Sequence, residues 1–360
     1  MRPGPADLRG SVAVGARVEV TRGRQVLAVD VPVRDVVLDV TADRVVPGKL
    51  EFTAPMEWTD SAGGTVRAVD HPLSPLSNFG QRAHATALLD VDGTPSEVEL
   101  GWFQIDTWEP GDGDTVQVTA LDLMQTLVEA PMTWPSSPPA GASLLSELRR
   151  LCNVGEGHSL PVVLDDPVDR GIPRTFEWGT DRAEAVRDLC ESYGLEYGVK
   201  PDGYLHVWAQ RDGRAPVATY TARDLLLSAP RQAVERRANR IVVVGSKTEG
   251  DVETQWVAQG DATEPPYSIS EYGLVASRFE LNSADGQTAV TAAMQTRLRN
   301  LALTTRTRSL EIAMDPRLEV GDVIAAVTDD ETIVGRITAY SVSLSDPSSR
   351  MRVDVQELNW

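Results

Sequence analysis

The chain has 360 residues, more than one hydrophobic core of ordinary size holds, and its 41% hydrophobic and 24% charged residues exclude a disordered or fibrous protein. Its 53 acidic against 34 basic residues leave a formal charge of −19, which disfavours stable binding to a nucleic-acid backbone. Two cysteines cannot build a disulfide framework, MRPGPADLRG has no apolar leader core, and no apolar run approaches the ~18 residues of a membrane span.

The first third reads as strands. Between Ser11 and Val40, SVAVGARVEV, RQVLAVDVPV and DVVLDV are short, Val-rich and broken by polar turn residues. Further strands are expected over Lys49 to Ala54, Ala83 to Leu89, Val98 to Trp108 and Thr115 to Ala120, the last two joined by EPGDGD. Phe103, Ile105, Val116, Val118 and Ala120 share a parity that places them on one face. A short helical run, LDLMQTLVEA, closes this part.

APMTWPSSPPAGA (130–142) has four prolines and almost no periodicity, so it reads as a linker or boundary loop. Beyond it, Leu144, Leu145, Leu148, Leu151 and Cys152 fall at helical spacing, as do Ala185, Val186, Leu189, Cys190 and Tyr193. Both cysteines are therefore expected as buried free thiols. Asp181 with Glu184 predicts a capping box, and Gly194 suits the position after the helix end. LEYGVKPDGYLHVWA predicts a hairpin turning at Pro201-Asp202-Gly203.

Strand character returns with NRIVVVGSK and ETQWVAQG, followed by a helix from about Asp285 to Ala302 with Val290, Met294, Leu298 and Leu301 as its apolar stripe. The end is again β: RSLEIAM, LEVGDVIAAV, TIVGRIT, TAYSVSLS and RMRVDVQEL. The apolar parity changes near Ala339, which predicts a bulge. The expected fold class is thus mainly β with α+β parts: two similar antiparallel β-barrel domains flanking a small mixed α+β domain. The expected division is 1–130, 131–222 and 223–360, with a helical insertion at about 266–304.

A repeat underlies this division. Phe79-Gly80, an apolar strand, the turn DVDGTPSE and EVELGWFQI match Val320-Gly321, an apolar strand, the turn TDDE and TIVGRIT. In each copy a glycine, Gly101 or Gly335, precedes the apolar residues of the second strand, and a turn and an alternating strand (TVQVTA, MRVDVQ) follow. Glycine at such points lets a closing strand bend.

Motifs that carry chemistry are missing from the sequence. His71, His84, His158 and His206 have no metal-ligand spacing, and GxSxG, a P-loop and a strand-linked GxGxxG are absent. Asp165-Asp166 and Asp329-Asp330 could serve as glycosidase carboxylates, but so many acids produce such pairs by chance. DVDGTPSEVE (90–99) lacks the spacing of a calcium loop. Neither catalytic residues nor a cofactor nor a metal is expected. The eight tryptophans are spread along the chain and read as core or interface anchors, with a glycan platform as the competing reading.

NFGQRAHATALL…VELGWFQIDTW with VQVTALDLMQTL, then FEWGTDRAEAVRDLCESYGLEYGVKPDGYLHV, then ARDLLLSAP…ERRANRIVVVG, TAVTAAMQTRLRNLA and LEVGDVI…VGRITAYSVSLS…MRVDVQE follow one another in a specific order over about residues 30–358. In this order the chain resembles the hub proteins of tailed-phage baseplates and tail tips, which are similar to the N-terminal hub part of tail-associated lysins and to hubs of contractile injection systems. The resemblance implies a homotrimer whose two barrels per chain form a pseudo-sixfold ring. Such a ring would adapt a hexameric tail tube to threefold tip or fibre proteins and leave a lumen through which DNA passes.

The partners implied are a tail tube or distal tail protein ring, a tape measure protein, and tip, fibre or receptor-binding proteins. The place implied is the virion, at the tail tip, after assembly in the host cytoplasm. Relatives that continue into a lytic domain differ from this chain, which ends at Trp360, so a catalytic extension is not expected here. Asp90 and Asp92, Asp329 and Asp330, and Trp360 are the residues expected at ring or subunit contacts. The alternatives are a glycan-binding or cell-wall-degrading tail module, and a distal tail ring or receptor-binding adaptor.

Overall fold

The computed structural model describes the chain apart from residues 11, 43, 156–158, 167, 210–214, 231–237, 250–251, 264–267, 282–285, 304–306, 347 and 359–360. His158 and Trp360 therefore lie outside the described residues. The opening strands are β1 (Val12–Arg22), β2 (Gln25–Val31), β3 (Arg34–Thr41) and β4 (Gly48–Pro55), the first three rich in Val. In β4, Leu50, Phe52 and Ala54 are all buried, as period-two alternation requires of a strand with one face on a core. A small hairpin, β5 (Glu57–Thr59) and β6 (Thr65–Arg67), precedes the meander β7 (Gln81–Val91), β8 (Thr94–Pro110) and β9 (Thr115–Asp122).

Three helices and three short strands follow the meander: α1 (Gln125–Glu129), α2 (Leu144–Leu151), β10 (Val162–Leu164), α3 (Arg182–Ser192), β11 (Leu195–Val199) and β12 (Leu205–Ala209), with α1 a single turn. Leu144, Leu148 and Leu151 of α2 face Val186, Leu189 and Cys190 of α3 within one apolar cluster, which also takes Leu205 and Val207 of β12. Asp181 caps α3 by accepting from Glu184 N at 2.9 Å, which is one half of the expected capping box, and Gly194 takes φ +64° after its end, as expected. The unpredicted cap is on α2, where Ser143 and Ser146 form a reciprocal capping box. The Pro-rich stretch is fastened by bridges from Ser136 to Trp178 and from Ser143 to Gly171.

The final third holds β13 (Ala218–Thr221), β14 (Leu226–Ser228), β15 (Arg240–Glu249), β16 (Val252–Asp261), α4 (Ile269–Tyr272), β17 (Ala276–Leu281), α5 (Gln287–Leu303), β18 (Thr307–Ala313), β19 (Val323–Val327), β20 (Thr332–Ser343) and β21 (Arg350–Glu357). NRIVVVGSK and ETQWVAQG do not join β13, β14 or β18 to β21. As β15 and β16 they pair with each other, β17 adds in parallel to β15, and Val290 and Met294 of α5 cover Ile241, Val243 and Ala258. The alternation of these strands was legible, but alternation names a buried face and not the sheet that supplies the neighbour.

Thirteen strands form one open sheet ordered β14-β18-β21-β20-β3-β4-β9-β8-β7-β1-β2, with β19 joining β20 to β13. The mainly β architecture with α+β parts is as expected. The two β parts are not separately closed among the described residues: the ladders run from one part into the other through β20 and β3, over a shared apolar core. β13 precedes the expected boundary at 222/223 but pairs with β19.

Candidate assembly surfaces

The repeat read from the meanders extends to six strands. In the first unit the ladder order is β3-β4-β9-β8-β7-β1, and in the second it is β14-β18-β21-β20-β19-β13. Each set, taken along the chain, follows the same sequence of positions, β1, β3, β4, β7, β8, β9 against β13, β14, β18, β19, β20, β21. The ladders agree in direction except the last, where β1 is antiparallel to β7 and β13 is parallel to β19. Both second strands carry a bulge against the third, between Ile105 and Thr107 and between Ile337 and Ala339, the latter at the parity change seen in the sequence.

The glycines have two different causes. Gly101 has φ +126° beside a register shift in the β7–β8 ladder, a conformation that a side chain opposes. At Gly335 a Cβ would lie 2.9 Å from Val355 Cβ and 3.1 Å from the Gln356 carbonyl, so close packing of β20 on β21 excludes one.

Asp90 and Asp92 lie at the β7–β8 turn, and Asp329 and Asp330 at the equivalent β19–β20 turn. The first turn is shorter than the sequence suggested. Asp92 (φ +51°) and Gly93 (φ +82°) alone reverse the chain, because two left-handed residues match the twist of the flanking strands. The space above Gly10 is filled by the Asp92 carboxylate, so Asp92 packs within its own chain. Asp329 and Asp330 are exposed on a turn where Thr328 N donates to Glu331 O at 2.9 Å, and Glu331 takes two bonds from Arg308, at 2.8 and 3.2 Å.

The residues that join the units gave no motif in the sequence. β20 pairs with β3 from Ala339–Thr41 to Ser343–Val37, and Ala42 N donates to Thr338 O at 2.8 Å. Arg2 donates to the carbonyls of Pro316 and Leu318 and, at 2.9 Å, to the Tyr340 hydroxyl. Tyr220 of β13 donates to Asp315 at 2.7 Å, and Arg317 pairs with the same carboxylate at 2.7 Å, a buried set that ties β13 to the approach to β19. Burial, with the Asp315 charge, pushes the Tyr220 hydroxyl above its ordinary range.

The middle unit leans on both. Its predicted turn, Pro201 to Gly203, packs on β8: a Cβ on Gly203 would lie 3.0 Å from Trp102, and one on Gly101 3.5 Å from Pro201. Arg336 of β20 reaches Glu196 of β11 at 2.5 Å, and Glu196 also accepts from Trp208 Nε1 at 2.8 Å. These contacts needed three separate parts of the chain, so only the turn itself could be anticipated.

Among the described residues no cluster of His, Cys, Asp and Glu could hold a metal ion, and no helix is long and apolar enough to cross a membrane. Asp165 is committed to Lys200 at 2.6 Å and His206 at 2.7 Å; burial opposes it, yet these bonds hold its carboxyl below the usual range. Trp102 stacks on His84, Trp178 on Phe176, and no two tryptophans form a ring pair among the described residues. Trp108 and Trp134 are exposed, one on β8 and one in the Pro-rich stretch.

No protein-family model matches this chain, and no curated protein does. Solved structures do. A tail protein from Neisseria meningitidis superposes with a TM-score of 0.62 at 15% identity, over 95% of this chain and 97% of that one. The 43 kDa tail protein of prophage MuSo2 from Shewanella oneidensis gives 0.59 at 12% identity, over 94% and 98%. Prophage tail protein gp18 from Listeria monocytogenes gives 0.54 at 9% identity, over 95% and 94%. At these identities the likeness is one of fold, and the fold of this chain is that of phage tail proteins.

Proposed function

We propose that the chain is a structural virion protein, a tail-tip or baseplate hub that works as a homotrimer. The observation that carries this reading is the pair of six-stranded units with one chain order and one ladder order. Three chains with two equivalent units each present six similar positions to a sixfold tube and three identical ones to a tip or fibre. The superposition on tail proteins over nearly the full length supports the same reading. The division into ring units near 1–130 and 223–360 around a unit at 131–222 belongs to this proposal, with β13 counted in the second ring unit.

In this arrangement the six units enclose a lumen, and the −19 charge of each chain keeps passing DNA from adhering. The partners are the tail tube or a distal tail ring above, the tape measure protein, and tip, fibre or receptor-binding proteins below. The turns with Asp90, Asp92, Asp329 and Asp330 sit at equivalent ends of the two units and face neighbouring rings. The chain performs no catalysis.

Native mass spectrometry and particle imaging of the purified chain test this. A species at three times the chain mass, with six similar lobes around its axis, is expected, without hydrolysis of cell-wall polysaccharide. A monomer at high concentration that also enters no threefold complex with tail proteins refutes it. Wall hydrolysis or saturable glycan binding would favour a lytic or glycan-binding module instead, and a self-assembled hexamer a distal tail ring.

A further inference from the structure

The two units treat one edge differently. β19 ends against Arg336 of β20, so the rest of β20 extends past its neighbour, and β3 of the first unit occupies that free edge from Ala339 to Ser343. β7 likewise ends against Gln104 of β8, leaving Thr107–Pro110 paired only with β9. Asn78 Nδ2 donates to Asp106 O at 2.9 Å at the start of this stretch, where Ala42 N meets Thr338 O in the other unit. From Thr107 to Pro110 no strand lies on the outer side among the described residues, and all four residues are exposed.

The register makes the comparison residue by residue. Trp108 lies opposite Val118, and Tyr340 lies opposite Val353; these valines are opposite Phe52 and Leu310 in turn. Trp108 and Tyr340 therefore hold the same position of the repeat. Tyr340 is 4% exposed, with Val40 of β3 across from it, whereas Trp108 is 37% exposed. An aromatic residue is buried where the edge is occupied and exposed where it is open.

The occupant follows from the same equivalence. β3 fills the β20 edge, and the counterpart of β3 in the second unit is β14, which pairs with β18 as β3 pairs with β4. β14 ends the sheet, with its other side unpaired among the described residues and Leu227 49% exposed. Within one chain the first unit gives β3 to the second, so the second has β14 to give to a first unit elsewhere. Unpaired edges of this kind draw another strand.

We propose that the β8 edge Thr107–Pro110, centred on Trp108, receives the β14 edge of a second copy of this chain by antiparallel strand addition. Repeated head to tail this contact is heterologous, and its closure after three copies rests on the trimer reading above.

The test places the photo-crosslinker p-benzoylphenylalanine at Trp108 and measures mass and sedimentation of Trp108→Arg and Trp134→Arg, the second being an exposed tryptophan outside the edge. The expected result is a crosslink to the tryptic peptide beginning at Asp224. Trp108→Arg should associate at least tenfold more weakly with unchanged far-ultraviolet circular dichroism, and Trp134→Arg should assemble normally. A trimer that crosslinks to another region, or that Trp108→Arg leaves intact, overturns this inference and leaves the trimer standing. A wild-type chain that stays monomeric alone and with tail proteins overturns both. If Trp108→Arg fails to fold, the crosslinked peptide decides.

Discussion

Asp122 ends β9 with its carboxyl buried, accepting from Met124 N at 2.7 Å. Burial pushes it up to about 7 from 3.8, and the single backbone donor only partly offsets this. Because the folded state holds this proton more tightly than the unfolded one, the associated stability is fully present below about pH 4. It is lost as pH rises through about 7. At 1.36 kcal/mol per pH unit the interval of about three units sets a ceiling near 4 kcal/mol, and relaxation around a buried charge reduces it to between about 2 and 4 kcal/mol. Asp122→Asn keeps an acceptor for Met124 N and cannot ionise. Urea unfolding of both proteins at pH 5 and pH 8, followed by circular dichroism, should show the wild type losing about 1–2.7 kcal/mol relative to the variant, because only about two of the three units lie above pH 5. Any fixed cost of the new amide cancels in that difference. Profiles that run parallel within about 0.5 kcal/mol would refute a buried, protonated Asp122.

Gly335→Ala forces a methyl against Val355 and the Gln356 carbonyl, so it should destabilise the chain by about 1–3 kcal/mol in the same assay, and a neutral effect would mean that β20 and β21 are less closely packed. Cys152 and Cys190 are both buried, and burial pushes the Cys152 thiol up to about 12, so neither should react with a disulfide reagent at pH 8 until denaturant is added. Replacing Arg308 by Met strands the Glu331 and Glu357 carboxylates at a nearly buried site and should cost about 3–5 kcal/mol, read as a lower urea midpoint.

Much of the candidate surface was legible because it is written in local chemistry. The Asp-Gly turn, the capping Asp181, the bulge near Ala339 and the two meanders follow from periodicity and from residues that tolerate left-handed backbone. Asp92 was anticipated at a turn, yet its carboxylate meets Gly10, a contact that pairs residues more than eighty positions apart. The open edge at Trp108 was not legible at all. In the sequence Trp108 and Tyr340 are two aromatic residues in alternating strands, and only the ladders show them at one position.

By itself the sequence determined the longer strands and helices, which faces they bury and that one β plan occurs twice, since period and turn chemistry act over a few residues; the short strands and β17, inside the expected helical insertion, were not legible. The tertiary structure decided that β15 to β17 form a sheet of their own and that β3 crosses to β20. It also decided that one aromatic position is covered while its counterpart is bare. Strand pairing between distant segments depends on which edges meet in space, and a backbone edge presents the same donors and acceptors whatever side chains it carries.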